Sequence, residues 1–238
     1  MRKRIVRWIR VQVKQSGAKG VVMGLSGGLD SSVTAALAKE ALGKNRLLSL
    51  ILPCHSHSRD LKDAETVARK LKIRAKTVDL GPIYDNLIKI LPKAEGLSVH
   101  NLKPRLRMIA LYYFANKLNY LVCGTGNKSE LMMGYFSKYG DGGVDILPLG
   151  GLLKKDVKKL AQQLNLPCQI IEKAPSAGLW PGQTDEGEMG ITYKELDDIL
   201  ERIDKKKRQA SARKKVEMVK KAIRQSEHKR KGPQICPA

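Results

Sequence analysis

Apolar residues along the chain fall into short continuous runs separated by stretches with helical spacing. The runs at 20–25 (GVVMGL), 47–52 (LLSLIL), 74–80 and 120–123 predict strands, and 145–149 predicts a fifth. Between them, apolar positions at three- and four-residue intervals predict helices over 33–42, 60–71, 83–91, 108–118 and 154–164. Strands that are apolar throughout are buried on both faces, so this alternation predicts an α/β fold with a twisted parallel sheet of about five strands, helices covering both sides. Ile5, Trp8 and Ile9 predict one face of a docked N-terminal helix. From Tyr193 onward the pattern is that of two charged amphipathic helices and a short tail. Two stretches, 138–144 and 174–190, have no period and are expected to be functional loops.

Composition narrows this picture. With 238 residues and 42% hydrophobic content, the chain suits one domain spanning 1–238 with a sizeable core, and global disorder is excluded. No apolar run approaches the roughly 20 residues of a membrane-spanning helix, and the Arg-rich N-terminus contains no uncharged secretory segment. The cysteines, at 54, 123, 168 and 236, include no close pair, which argues against a disulfide framework or zinc module and for a reducing cytoplasm. The net charge of +22 is concentrated in basic helical ends at 1–20 and 201–238. Such ends read as solvated helical faces or as a cradle for a polyanion, but 5% aromatic content is thin for stacking on single strands.

The loop after the first strand carries the clearest chemistry. Ser26-Gly27-Gly28-Leu29-Asp30-Ser31-Ser32 follows an apolar strand and opens a helix. Two glycines allow the backbone to turn close to a ligand, and the hydroxyls with the free helix N–H groups can surround an anion. A carboxylate at Asp30 would repel phosphate unless a divalent cation bridges the two, so the segment suits a magnesium-bound polyphosphate. The Walker lysine is missing. Gly24-Leu25-Ser26-Gly27-Gly28 also satisfies the G-x-S-x-G nucleophile elbow, but no oxyanion loop is present, and Asp30 and Ser31 would have no role.

SGGLDSS resembles the pyrophosphate loop of the ATP pyrophosphatases, which split ATP between its α and β phosphates. Further segments select within that superfamily: Gly124-Thr125-Gly126-Asn127-Lys128-Ser129-Glu130, then Phe136-Ser137-Lys138-Tyr139-Gly140-Asp141-Gly142-Gly143-Val144-Asp145, then Pro175-Ser176-Ala177-Gly178-Leu179, and finally Glu227-His228-Lys229-Arg230. In this order and over nearly the whole chain they resemble the ammonia-dependent NAD synthetases. The resemblance implies an adenine nucleotide alpha hydrolase-like, Rossmann-like fold and a cytoplasmic homodimeric ligase. It implies amidation of deamido-NAD by ammonia, with ATP cut to AMP and pyrophosphate through an acyl-adenylate, and Mg2+ as cofactor. The length leaves no room for a domain that hydrolyses glutamine. By the same resemblance, Gly24, Leu25, Ser26, Gly27, Gly28, Leu29, Asp30 and Ser31 cradle ATP, which Thr125, Lys154 and Ser176 also contact. Asp30 and Glu130 match magnesium ligands, and Ser26, Asp30 and Lys154 form the catalytic set. Arg105, Lys138, Asp145, His228 and Lys229 match positions that hold deamido-NAD, His228 and Lys229 reaching it from the partner subunit.

Without the resemblance, Lys154 would read as a surface lysine at a helix start and Glu130 as a helix-cap carboxylate. Spacing alone does not say whether Arg105 or Arg107 reaches substrate. Cys54-His55-Ser56-His57 offers three metal ligands on one short loop but no fourth, and departs from the family pattern where adenosine is expected. The alternative function is an RNA-modifying ATP pyrophosphatase that adenylates a tRNA base. The basic ends favour it, while the lack of a C-x-x-C pair and of a separate RNA-binding domain counts against it. Specific nucleic-acid binding is not expected.

Overall fold

Val21 and Met23 of strand β1 (Gly20–Gly24) enter one apolar cluster and Val22 enters another, because successive strand side chains point to opposite faces. The same division holds in β2 (Leu47–Ile51), with Leu47 and Ile51 on the first side and Leu48 and Leu50 on the second. With β3 (Ala75–Thr77) and β4 (Tyr120–Val122) they form a parallel sheet of order β3-β2-β1-β4. This computed structural model describes residues 1–180, 182–206 and 212–236; Pro181, part of the basic end at 207–211 and the last two residues lie outside it.

The first face is covered by α1 (Arg2–Gln15), α2 (Leu29–Leu42), α3 (Ser58–Leu71), α8 (Lys154–Gln163) and the short α9 (Cys168–Ile171). The second is covered by α4 (Gly81–Ile90) and α6 (Leu102–Leu118), with the four-residue α5 (Leu97–His100) between them. A third apolar cluster, built on Leu196, Ile199 and Val219, joins α11 (Tyr193–Asp204) to α12 (Arg213–Gln225) beside α7 (Lys128–Met133). The remaining elements, α10 (Asp185–Met189) and α13 (Glu227–Arg230), are single turns. No helix among the described residues is long and apolar enough to cross a membrane.

Several boundaries differ from those read off the pattern. The fifth strand over 145–149 reduces to one parallel bridge between Cys123 and Ile146, since Pro148 has no N–H for a ladder and the chain turns at Gly150. The third strand shortens to an exposed edge of three residues before Asp79 accepts from the Gly81 N–H and starts α4. Helix α6 begins at Leu102 rather than 108, because Pro104 lies in the first turn, where N–H groups need no intrahelical partner. Trp8 is 38% exposed; the docked face of α1 is Ile5, Val6, Ile9 and Val13.

Strand order 3-2-1-4 means that the chain leaves β1 toward one edge and returns to β4 on its other side. The crevice beyond the carboxyl ends of β1 and β4 is therefore the topological switch point, where open α/β sheets bind ligands.

Candidate active site

A cavity of about 600 Å³ opens at that switch point. Ser26–Ser31 follows β1 along its floor, and 124–130 follows β4 along its side. Gly28 caps α2 in an extended conformation without lending a side chain, so the hydroxyls serve the loop itself. Ser32 Oγ donates to Gly28 O (2.7 Å), Ser31 Oγ to the same carbonyl (3.1 Å), and the Ser26 and Ser31 hydroxyls pair at 3.1 Å. The result is a turn with small polar groups facing the cavity and the N-terminus of a 14-residue helix behind it.

The charged part of the site is assembled by capping. Asn127 and Glu130 form a capping box at α7: the Asn127 side-chain oxygen accepts from Glu130 N (3.0 Å), and Glu130 Oε2 accepts from Asn127 N (3.1 Å). Asn127 Nδ2 then donates to Asp30 Oδ1 (2.9 Å), so one residue orients both carboxylates, Asp30 through its side-chain amide and Glu130 through its backbone N–H. Their other oxygens converge on Lys154 Nζ, at 2.6 Å from Asp30 Oδ2 and 3.1 Å from Glu130 Oε1. Lys154, which alone would read as a surface residue, is 7% exposed. It is placed there by α8, whose first N–H groups are taken by Ser129 Oγ (3.0 Å to Lys154 N) and Asp197 (2.8 Å to Lys155 N). Ser129 in turn donates to Asp197, which ties α7, α8 and α11 together.

Tyr193, at the start of α11, completes the cluster. Its hydroxyl donates to Asp185 Oδ2 (2.9 Å) and lies 3.3 Å from Glu130 Oε1, and Lys154 Nζ sits 4.7 Å from its ring centroid. Asp185 Oδ1 is buried without a hydrogen-bond partner. Burial, then the nearby Asp30 carboxylate, pushes the Glu130 carboxyl up to about 7. Burial works against the Lys154 ammonium, but the two carboxylates outweigh it and raise its pKa, holding it charged. Burial, followed by the Glu130 and Asp185 carboxylates, holds the Tyr193 phenol protonated.

Residues 174–180, 182 and 183 line the cavity from another side. Ser176 Oγ donates to Gln183 O (2.7 Å), Lys103 Nζ donates to Leu179 O (2.8 Å), and Trp180 stacks on His100 at 4.6 Å between centroids. On the opposite wall Lys229 Nζ reaches Gly134 O and Phe136 O, at 2.9 and 3.0 Å.

Of the residues singled out from sequence, Gly24, Leu25, Ser26, Gly28, Leu29, Asp30, Ser31, Thr125, Glu130, Lys154, Ser176 and Lys229 line this one cavity. Gly27 turns away from it against α3. Arg105 and His228 are exposed and outside it, whereas Arg107 is on its wall, donating to Leu52 O and Ser56 Oγ. Lys138 bonds the His228 carbonyl, and both Asp145 oxygens are engaged within the chain, by Tyr112 OH and Val122 N. The Cys54–His57 loop folds without converging ligands: Cys54 is buried against Leu80 O and His55 pairs with Asp85. Of the pair that spacing leaves open, Arg107 rather than Arg105 is the one on the cavity wall. Lys173 and Tyr193 are singled out by nothing in the sequence. Asn127 and Asp185 stand in motif strings that assign them no role, although the N-x-x-E capping spacing at 127–130 signals the part Asn127 plays.

The family model described as NAD synthase matches residues 1–233. An NH(3)-dependent NAD(+) synthetase of Carboxydothermus hydrogenoformans is 47% identical over 98% of this chain and 95% of its own. A solved structure titled as NMN synthetase from Francisella tularensis superposes with a TM-score of 0.91 at 39% identity, covering 99% of this chain and 96% of that one. An NH3-dependent NAD synthetase from Campylobacter jejuni, in complex with the nitrate ion, gives 0.86 at 30% identity over 99% and 97%. A Gly-Ser turn and two convergent carboxylates at the switch point are thus found on a chain that belongs to the NAD synthase family.

Proposed function

We propose that this chain is a carbon–nitrogen ligase that amidates deamido-NAD with ammonia, using ATP and releasing AMP and pyrophosphate. The observation that carries the reading is the convergence of Asp30 Oδ2 and Glu130 Oε1 on one cation position at the open side of the Ser26–Ser31 turn. Membership of the NAD synthase family supports it. The RNA-modifying alternative has no support among these relatives, which are named for NAD or NMN synthesis.

A nicotinate carboxylate is a poor electrophile. One of its oxygens therefore attacks the α-phosphorus of ATP, the bond to pyrophosphate breaks, and an acyl-adenylate forms. Ammonia then adds to the acyl carbon, loses a proton, and expels AMP. In this scheme the Ser26–Ser31 backbone and hydroxyls receive the departing pyrophosphate, and the Lys154 ammonium balances charge at the carboxylate pair. Thr125 and Ser176 contact ATP from the two sides of the cavity. The donors suit Mg2+ in kind: two hard carboxylate oxygens converge on one point, where the Lys154 ammonium sits in this structure. Asp30 and Glu130 would hold the ion, which supplies charge neutralisation for the triphosphate.

We assign the working form to a homodimer. Arg105, Ile109 and Tyr113 share one face of α6 at four-residue spacing; Ile109 is 59% and Tyr113 61% exposed. A second copy that covers this face brings Arg105 to the partner's dinucleotide, together with Lys138, Asp145 and His228, which also lie outside the cavity of their own chain. Lys229, expected from the partner, instead lines the cavity of its own chain.

Incubating the protein with ATP, Mg2+, ammonium and deamido-NAD, with nicotinate mononucleotide as a competing acceptor, tests the reading. Stoichiometric NAD, AMP and pyrophosphate are expected. Release of ADP would remove the assignment, and preference for the mononucleotide would change the acceptor.

A further inference from the structure

Lys173 belongs to none of the sequence motifs, yet it joins three parts of the site. Its ammonium donates to Asp60 Oδ1 (2.7 Å) and Asp63 Oδ2 (2.6 Å) in the first turns of α3, and lies 3.4 Å from Gly27 O. The Asp63 side chain is only 7% exposed, and its other oxygen accepts from Gln169 Nε2 (3.2 Å). Gly27 is the residue of the phosphate loop that faces away from the cavity. Its φ is +76°, and a Cβ there would fall 2.5 Å from Asp60 O and 2.8 Å from Ala64 N. The loop therefore rests on α3 with no slack, pinned where Lys173 bridges the two.

The charges add a second reason. Asp60 lines the cavity, and Asp63 lies one helical turn further along α3. Two carboxylates beside a polyphosphate cradle would repel its ligand, and the single ammonium bridging both of them offsets one of the two charges and weakens that field where the phosphates would lie. Lys173 is also the residue from which the cavity-lining segment departs, three positions before Ser176. One side chain thus holds the back of the loop, offsets part of the charge of its acidic support and roots that segment.

We propose that Lys173 is a positioning residue for ATP: it keeps the Gly27-Gly28 turn in its phosphate-ready shape and suppresses repulsion from Asp60 and Asp63, without itself touching the reacting atoms. This rests on the reading of that loop as the pyrophosphate cradle.

The test compares the full-length wild type with Lys173→Met, Lys173→Arg and the triple variant Lys173→Met/Asp60→Asn/Asp63→Asn, each assayed below its own melting transition. Calorimetric binding of Mg-ATP without acceptor is measured beside steady-state KM values for ATP, deamido-NAD and ammonium. For Lys173→Met, the ATP Kd and KM are expected to rise about tenfold or more, with the acceptor and ammonium KM values within about twofold of wild type. The arginine variant should recover to within about threefold, since a guanidinium can span both carboxylates. The triple variant should recover most of the loss, because the repelling charges are gone. ATP binding by Lys173→Met within about twofold of wild type, equal weakening of ATP and acceptor, or no recovery in the triple variant would each overturn the proposal. A wild type that binds no Mg-ATP would remove the reading of the loop and the proposal with it. If the wild type binds ATP but makes no NAD, the functional reading alone fails, and the variant series still decides the role of Lys173.

Discussion

Asp30 shows how one position combines local and distant demands. It sits in the first turn of α2, where a carboxylate is favoured by the helix N-terminus, yet its two oxygens are held by Asn127 and Lys154, 97 and 124 residues away. Asp30→Asn keeps the shape and removes the charge. Turnover should fall on the order of a hundredfold or more, as expected when a charge contact to a metal–phosphate centre is lost. Pyrophosphate release measures the loss, and an unchanged far-ultraviolet circular dichroism spectrum confirms that the fold is kept. Activity within a few-fold of wild type would mean that Asp30 holds no cation. The sequence makes Asp30 and Glu130 visible because they stand in recognisable local strings, and Lys154 only through the match of the whole chain to a family. Tyr193 and Lys173 stand in no such string; they matter only because α11 and the chain after α9 bring them to the cavity, and a linear pattern does not encode that meeting.

Among the elements, those with a strong apolar period were legible: β1, β2, β4, α2, α3 and α8 lie within a few residues of their expected bounds. The misplaced ones obey rules that periodicity does not contain. Pro104 is harmless in the first turn of α6, and Pro148 ends a strand that hydrophobicity alone would extend. Helix α8 carries the clearest consequence for the site. Its N-cap, Leu153, has no side-chain acceptor, so the cap is supplied from outside by Ser129 and by Asp197 of α11. Asp197 is 1% exposed and also accepts from Ser129. Asp197→Ala leaves both the Lys155 N–H and the Ser129 hydroxyl without that acceptor, a loss of about 2–3 kcal/mol. Melting should drop by roughly 4–12 °C for a chain of this size. Because Lys154 is the first residue of the uncapped helix, ATP turnover should fall as well, while Asp197→Asn should retain more of both. A variant that melts like the wild type would show that α8 does not depend on this cap.

For the whole molecule, the question is why so few of the residues expected to hold the dinucleotide face the cavity of their own chain. The residues expected to hold ATP meet within one subunit: the Ser26–Ser31 turn, both convergent carboxylates, Lys154, Thr125 and Ser176 line a single cavity. Those expected to hold the acceptor do not, since Arg105 and His228 are exposed outside it and only Lys229 reaches its wall. The apolar surface lies on the same side as Arg105. Ile83, Leu97, Ile109 and Tyr113, on α4 to α6, are each more than half exposed, an arrangement that suits a covered face better than a solvated one. If a second copy covers it, each subunit binds ATP alone but finishes its acceptor site only in the pair. Ile109→Asp combined with Tyr113→Asp places two carboxylates on that face and should shift sedimentation from dimer to monomer. Mg-ATP affinity should stay within about twofold, while turnover with deamido-NAD falls about tenfold or more through loss of the acceptor contacts. A monomeric variant with full turnover would show that each chain builds its acceptor site from its own residues, and Arg105 would then leave the substrate set in favour of Arg107, already on the cavity wall.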